Sequence, residues 1–459
     1  MQNTENRIII IGAGLTGLTL AYYLKKAGKN ILLIEKNDRP GGVIQTNIEN
    51  GFTYETGPST GVLSSEELAD LFEELKNDCS YEVANPAAKK RYIWKNMKWE
   101  ALPGGHDLGA VTTPLFSLKD KLKVLGEAFR PKGGHPDETV AELVNRRLGK
   151  SILDYAVDPF VSGVYAGDPA QLITRHALPK LYALEQNYGG FIRGSIAKHR
   201  EYIKNPTPKV TKDVFSAEGG LQKLIDALTV KIGNENILTS CENVKLETLP
   251  VGFKVSFIRD TEEYNFSAQQ VVSTVGGYVL ASLLPFVPPA QMHHLTNTTY
   301  ASVVQVAAGY KNWNGIKLDA FGGLIPTKEK RQILGVLFPS TIFKKRCPEG
   351  GALLSVFMGG IKKPEMFYKS DEEIKQIVLD ELKITMNVDT EPDLLKIHRY
   401  RHAIAQYDIK SAQRFETIRH IQRQYPGLIL AGSIRDGIGI SDRVKQATHI
   451  ASEVLKKLN

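Results

Sequence analysis

The chain has 459 residues, 42% of them hydrophobic, which is too long for one compact core and implies two or three packed domains. Its net charge of +8, from 58 basic and 50 acidic residues, fits a soluble basic enzyme as well as one that meets anionic substrates or an anionic membrane surface. Basic clusters interleaved with aromatics are missing, which sets nucleic-acid binding aside. The three cysteines, Cys79, Cys241 and Cys347, are far apart and odd in number, giving neither a disulfide framework nor metal-ligand spacing. No metal is expected, and a reducing cytoplasm fits best.

Met1 leads through polar Gln2-Asn3-Thr4-Glu5 directly into a strand, so the expectation is no signal peptide. No apolar stretch approaches the roughly 20 residues that span a bilayer, so any membrane contact is expected to be peripheral, on the inner face of the cell membrane. Arg7-Ile8-Ile9-Ile10-Ile11 has the pattern of a parallel strand buried on both faces. Gly12-Ala13-Gly14-Leu15-Thr16-Gly17 follows at once. Apolar residues then recur at Leu15, Leu18, Ala21, Tyr22 and Ala27, a helical period, before Gly28 and a second strand, Ile31-Leu32-Leu33-Ile34.

In such a βαβ unit Gly12 makes the tight turn, Gly14 lets the backbone approach a pyrophosphate, and Gly17 lets helix and strand pack closely. The phosphate charge sits at the helix N-terminus. Glu35 closes the second strand, where a carboxylate accepts hydrogen bonds from ribose hydroxyls and disfavours a 2′-phosphate.

The text Glu35-Lys36-Asn37-Asp38-Arg39-Pro40-Gly41-Gly42-Val43, followed by Gly57-Pro58-Ser59-Thr60, resembles the two-domain flavoprotein superfamily that includes monoamine oxidase, phytoene desaturase and protoporphyrinogen oxidase. The resemblance implies non-covalent FAD, with Ala13, Leu15, Thr16, Lys36 and Val43 among its contacts beside the glycines, and a later turn (Gly57, Pro58, Ser59, Thr60) reaching the flavin. Paired glycines after an acidic strand end also permit close backbone approach, although Gly41-Gly42 reads equally as a plain turn.

Gly219-Gly220 opens a helical pattern, followed by strand-like pieces at Ile237-Leu238, Val244-Lys245-Leu246 and Phe253-Lys254-Val255 and a buried strand at Gln270-Val271-Val272-Ser273-Thr274. By resemblance Val244 meets the adenine end. Leu428-Ile429-Leu430-Ala431-Gly432 is a strand ending in glycine, and a helix is expected from Arg443 to Leu458. Between them Arg435 to Asp442 resembles the superfamily's closing flavin motif, with Ile438, Gly439 and Ile440 at the flavin. Asp442 reads either as a helix N-cap or as a cofactor contact.

The run Asp158-Pro159-Phe160-Val161-Ser162-Gly163-Val164-Tyr165-Ala166-Gly167 is similar to one found in the protoporphyrinogen and coproporphyrinogen oxidase family. Shorter matches follow the family's order along the whole chain, including Arg146-Arg147-Leu148-Gly149, Glu185-Gln186 and Ala320 to Pro326. The family implies oxidation of protoporphyrinogen IX to protoporphyrin IX by three two-electron dehydrogenations in haem biosynthesis, with oxygen as the usual acceptor. It places Arg91, Gly163, Phe321, Leu324 and Phe357 around the substrate, Arg91 at a propionate. For each aromatic, ordinary core packing is the plain alternative.

This chain departs from the family at Ser59, Ala405 and Arg443, where relatives often carry a basic residue, a proline and a cysteine. Coproporphyrinogen III is the alternative substrate, although residues 60–65 lack the lysines often seen in that branch. A flavin amine oxidase and a non-enzymatic FAD-binding protein are more distant readings. His176, His199, His398 and His402 read as structural, and no acid–base catalyst is assigned.

The expected fold is α/β plus α+β. A discontinuous Rossmann-like FAD domain takes residues 1–77, 207–280 and 395–459, an α-rich insertion 78–206, and a β-rich substrate domain 281–394. Lysines and arginines in the insertion (Lys89, Lys90, Lys119, Lys121, Lys123, Arg130, Lys132) suit a peripheral membrane face or a solvated surface. A homodimer and handover of product to a ferrochelatase remain open.

Overall fold

The computed structural model describes residues 7–103, 113–205 and 209–458. The polar start of the chain and the expected boundary at 206/207 lie outside them. Arg7–Ile11 is the middle strand of a five-stranded parallel sheet ordered Ile237–Leu238, Asn30–Ile34, Arg7–Ile11, Gln270–Ser273, Leu428–Leu430. The all-isoleucine run suits this place because its side chains alternate between two cores. Ile8 and Ile10 join one cluster with the helices Leu15–Lys26, Gln222–Ile232 and Ile440–Leu458; Ile9 and Ile11 join another with Phe253, Phe257 and Leu283. The last helix starts three residues before the expected Arg443.

A second, seven-stranded sheet is ordered Leu394–Ala405, Tyr300–Tyr310, Ala352–Gly359, Ile333–Leu337, Gly322–Leu324, Arg91–Lys95, Lys98–Ala101. All its neighbours are antiparallel except Gly322–Leu324 with Arg91–Lys95. One face, carrying Val304, Val306, Val336, Val356 and Met358, packs on Ile374, Val378 and Leu382 of the helix Asp371–Met386. The other turns toward the cofactor sheet, where the buried Gln305 Nε2 donates to the Glu55 carbonyl (3.0 Å).

Two segments cross the boundaries expected from sequence. The hairpin 91–101, placed in the insertion, is hydrogen bonded into the substrate sheet, and Leu394–Ala405, all but its first residue placed with the FAD domain, is that sheet's outermost strand. Register with a distant partner decides membership, and local pattern carries no record of it.

Between the hairpin and residue 205 the chain is mostly helical: Val140–Arg147, Asp158–Tyr165, Pro179–Tyr188 and Phe191–Lys204 are its longest described helices beside Leu118–Leu125. A buried ion network holds them. Arg147 bonds Glu127 (Nε–Oε1 2.6 Å) and Glu185 (2.9 Å), while Arg146 bridges Glu185 and Glu138. Burial alone would raise the Glu127 carboxyl; the amides of Ile192 and Phe191 and the Arg147 charge outweigh it and hold it below the usual carboxylate range. Asp158 ties this region to the substrate sheet, accepting from the Thr327 amide (2.8 Å) and pairing with Lys362.

Candidate flavin and substrate site

The loops 12–14, 35–42, 274–277 and 431–439 leave the carboxyl ends of the parallel strands, where open α/β sheets bind ligands. Gly12, at φ +100°, turns the chain so that its N–H donates to the Ile34 carbonyl (2.8 Å). A Cβ on Gly17 would stand 1.9 Å from the Gly12 carbonyl oxygen, so only glycine lets the helix start there. At Gly14 the reverse holds: a Cβ would meet nothing within 4 Å. Helix Leu15–Lys26 has no side-chain cap and no acid in its first turn, unlike Glu66–Glu74, which Ser65 caps. Its first-turn amides therefore have no side-chain acceptor of their own, as anion binding requires.

Glu35 is buried, its Oε2 accepting from the Ala13 amide (2.7 Å) and its Oε1 from the amide and side chain of Asn37 (2.9 Å each). Oε1 is thereby saturated, while Oε2 keeps a lone pair for a further donor. Ser240 and Cys241 hydrogen bond to the carbonyls of Asn37 and Glu35 and carry the chain into Val244, which sits at a bulge in Glu242–Thr248.

The second glycine pair adjoins the first. The Gly41 amide donates to the Ala13 carbonyl (2.7 Å), and a Cβ on Gly42 would lie 3.4 Å from the Gly14 Cα. Lys36 and Val43 are exposed beside them. Arg39 fixes this loop by donating to the carbonyls of Pro40, Gly42 and Ile44 at 3.0–3.1 Å. The turn Gly57-Pro58-Ser59-Thr60 lies alongside, since a Cβ on Gly57 would stand 2.0 Å from the Val43 oxygen. The Ser59 hydroxyl on this turn is buried and has no hydrogen-bond partner. Just before the turn, burial pushes the Glu55 carboxyl up although it accepts from the Leu221 amide (3.0 Å) and the Thr46 hydroxyl (2.7 Å).

The closing loop is held by side chains. The Gly432 amide donates to Gln446 Oε1 (2.8 Å), and the Gly437 amide to the Tyr407 hydroxyl (2.9 Å). Buried Arg414 donates to the Ile434 carbonyl (2.9 Å). Asp442 is the third residue of its helix and accepts from the Gly439 amide (3.0 Å), so it caps from inside the first turn. Ile440 and Phe215 both abut Gly61, bringing Ile438-Gly439-Ile440 to the end of the 57–60 turn.

On the substrate side, Leu324, Gly335 and Phe357 stand opposite one another in three adjacent strands, in the same row as Gln305, and therefore on the face turned to the cofactor sheet. Leu324 leans over Gly335. A Cβ on Gly163 would stand 2.4 Å from Leu324 Cδ2, so the room Gly163 leaves is taken by Leu324. Phe321 packs against the buried cluster of Ala88, Ile342 and Phe343, and the exposed Arg91 guanidinium lies over its ring (5.2 Å to the centroid). Lys90 beside it pairs with Asp319 (2.8 Å), whereas no carboxylate of the described residues pairs with Arg91.

The flavin containing amine oxidoreductase profile matches residues 15–455. The chain belongs to that family. It is 28% identical to protoporphyrinogen oxidase 2, chloroplastic/mitochondrial, of Arabidopsis thaliana, over 98% of this chain and 94% of the relative. It is 26% identical to the coproporphyrinogen III oxidase of Bacillus subtilis over the whole of both chains. Among solved structures, a provisionally assigned protoporphyrinogen oxidase from Exiguobacterium sp. 255-15 superposes with a TM-score of 0.81 at 24% identity, covering 98% of each chain. A UDP-galactopyranose mutase superposes with 0.75 at 18% identity, over 98% of this chain and 96% of that one. At such identities the structures establish the fold alone.

The protein is thus a flavoenzyme, an FAD-dependent oxidoreductase, and its residues fit the cofactor. An uncapped helix end beside a side-chain-free Gly14 suits the diphosphate, Glu35 the ribose, and the orphaned Ser59 hydroxyl a polar group of the flavin. Sequence reasoning quoted Arg39 in its motif without giving it a part, although its partners are local, and missed Tyr407, Arg414 and Gln446, which act on backbone carbonyls and amides brought close only by folding. His176 and His398 have a buried ring nitrogen without a partner, and burial lowers the pKa of each, as expected of neutral structural histidines.

Proposed function

We propose that this flavoenzyme oxidises protoporphyrinogen IX to protoporphyrin IX. FAD and Arg91 would meet the substrate at opposite ends of the apolar wall formed by Phe321, Leu324 and Phe357. Bound FAD supplies a two-electron acceptor, used three times per product. The protein's own contribution is placement: Leu324 and Phe357 offer apolar surface to a macrocycle, Gly163 sets where Leu324 stands, and Arg91 takes a propionate. The aromaticity of the product makes a strong protein base unnecessary. The observation that carries the reading is Arg91: a guanidinium stacked on Phe321 at the rim of that wall, with its donors uncommitted to any carboxylate of the described residues.

Full-length similarity to a coproporphyrinogen III oxidase supports the four-carboxylate substrate as the second reading. Stopped-flow reduction of the bound flavin under anaerobic conditions by each porphyrinogen decides between them. Faster reduction by protoporphyrinogen is the expected result; a strong preference for coproporphyrinogen overturns the substrate, and reduction by neither overturns the activity.

The flavin and substrate contacts expected of the named residues belong to this proposal, as does docking to an anionic membrane. The described helices include none long and apolar enough to cross a bilayer. Helix Leu118–Leu125 buries none of its residues, and Leu118, Leu122, Leu125 and Phe129 are 60–84% exposed at helical spacing, with Lys119 and Lys123 between them. Co-sedimentation with phosphatidylglycerol vesicles, abolished by Leu122→Glu with Phe129→Glu, is expected; no binding by the unmodified protein overturns it.

A further inference from the structure

The loop 432–439 is bracketed by two buried cations, Arg443 and Arg414, that form no salt bridge among the described residues. Arg443, 8% exposed, donates from Nη1 to Gln446 Oε1 (3.0 Å) and from Nη2 to the carbonyls of Arg435 (2.9 Å) and Asp436 (2.8 Å). Its Nε is buried without a partner. The nearby carboxylates offset part of this charge without forming a salt bridge to it: Asp436 bonds Gln446 Nε2 (2.8 Å) and Arg435 (3.2 Å), and Asp442 accepts from the Gly439 amide. Arg414, 1% exposed, bonds the carbonyls of Ile434 and Gln406 and the hydroxyls of Ser411 and Thr298, and it too has no carboxylate within salt-bridge reach among the described residues.

A guanidinium stays protonated under all ordinary conditions, so its positive charge remains inside the protein. Burying a charge without a partner is costly, and the cost is offset where a negative charge comes to face it. Arg443 lies in the first turn of the helix Ile440–Leu458, whose N-terminal amides carry positive partial charge of their own. Side-chain cation and helix end act in the same direction on whatever lies against Ile438-Gly439-Ile440, and the Asp442 carboxylate offsets part of that field. When FAD takes up two electrons and one proton, its ring system gains one negative charge.

We propose that Arg443 is a positioning residue that also sets the redox poise of the flavin: it fixes the carbonyls of 435 and 436, and its buried charge favours the reduced, anionic ring system. The inference rests on the assignment of Ile438 to Ile440 to the flavin edge. Low-dielectric surroundings let such a charge act through several ångströms of protein, and salt in the solvent screens it weakly.

The test is the midpoint potential of the bound FAD in the holoenzyme, titrated with dithionite against a reference dye. Circular dichroism and the flavin-to-protein ratio are measured alongside. Arg443→Met is expected to lower the reduced-to-oxidised ratio at a given potential about tenfold, equivalent to a shift of about 30 mV toward negative values for a two-electron couple. Arg443→Lys cannot span both carbonyls but keeps the charge, so its potential is expected to return most of the way to the parent value. A folded, flavin-loaded Arg443→Met with an unchanged potential overturns the proposal, even if it binds FAD more weakly, because that pattern marks a brace and nothing more. If Arg443→Met does not fold, Arg443→Gln replaces it, and a potential equal to that of Arg443→Lys overturns the electrostatic role. Loss of flavin from the parent protein would instead strike at the assignment of the cofactor edge.

Discussion

The two sheets make their halves of the site from different materials. On the parallel sheet the working surface is backbone: amides at a helix end, and positions such as Gly14 and Gly42 where a side chain would stand in the way. On the seven-stranded sheet the proposed surface is side chains, with Leu324, Phe357 and Phe321 offering shape and Arg91 charge. A surface built from backbone tolerates almost no substitution, because geometry and function are the same atoms. One built from side chains can be retuned position by position, which suits a scaffold shared by enzymes with different substrates.

The sharpest way to break this contrast is within the first glycine loop. Gly14→Val places its side chain in open space, so the protein should fold with unchanged circular dichroism yet come off the column colourless. Gly17→Val forces its Cβ against the Gly12 carbonyl and should lose the fold together with the flavin. A yellow, stable Gly14→Val protein would show that the diphosphate lies elsewhere.

The next largest effect belongs to the insertion. Glu127→Gln leaves the Arg147 charge, which is fully buried, with one carboxylate instead of two, and should cost about 3–5 kcal/mol in thermal or denaturant unfolding. Glu127 is held below the usual carboxylate range, so its contribution is present near neutrality and is lost as pH falls through its folded-state pKa. Flavin content per folded protein should stay near the parent's, since the network touches the helices and not the glycine loops.

Smaller changes sharpen the side-chain half. Gly163→Val should displace Leu324 and raise the Michaelis constant for porphyrinogen, with the flavin spectrum unaltered. Arg91→Ala should raise the same constant about tenfold, roughly 1.4 kcal/mol, with little change in turnover if the propionate contact is equal in ground and transition states. Unchanged kinetics would remove Arg91 from the wall. The smallest effect expected is a pH dependence: His176 and His398 have depressed pKa values, so the stability each contributes as a neutral ring is present above about pH 6.5 and is lost as pH falls below it. His398→Gln should flatten that slope in melts taken between pH 7 and 5.

How much of this was legible beforehand follows the same division. The isoleucine run, the glycines and Glu35 announced the cofactor half because each residue type has few other uses at that spacing. The wall residues were named only through resemblance; nothing in the local text around Phe357 separates a pocket aromatic from a core one. The sheet membership of 91–101 and 395–405 was misplaced because pairing partners lie far off in the chain, as Leu324 does from Ile93 and Tyr300 from Ala405. Arg146-Arg147 and Glu185 were seen as family matches, and folding shows what joins them: one charged network. Arg443 was noticed only as a departure from relatives, and its burial with an unpartnered Nε could not be inferred from a helical pattern.

The order of strands in the parallel sheet bears on how the protein is made. Its outer strand, Leu428–Leu430, and the helix that lies on Leu15–Lys26 come from the final tenth of the chain. During synthesis the first βαβ unit leaves the ribosome long before these arrive, and the Gln270–Ser273 edge stays bare until they do. Cofactor capture is therefore a late event in the life of the nascent polypeptide, and a transcript cut short by thirty residues should yield a chain that depends on chaperones and never turns yellow.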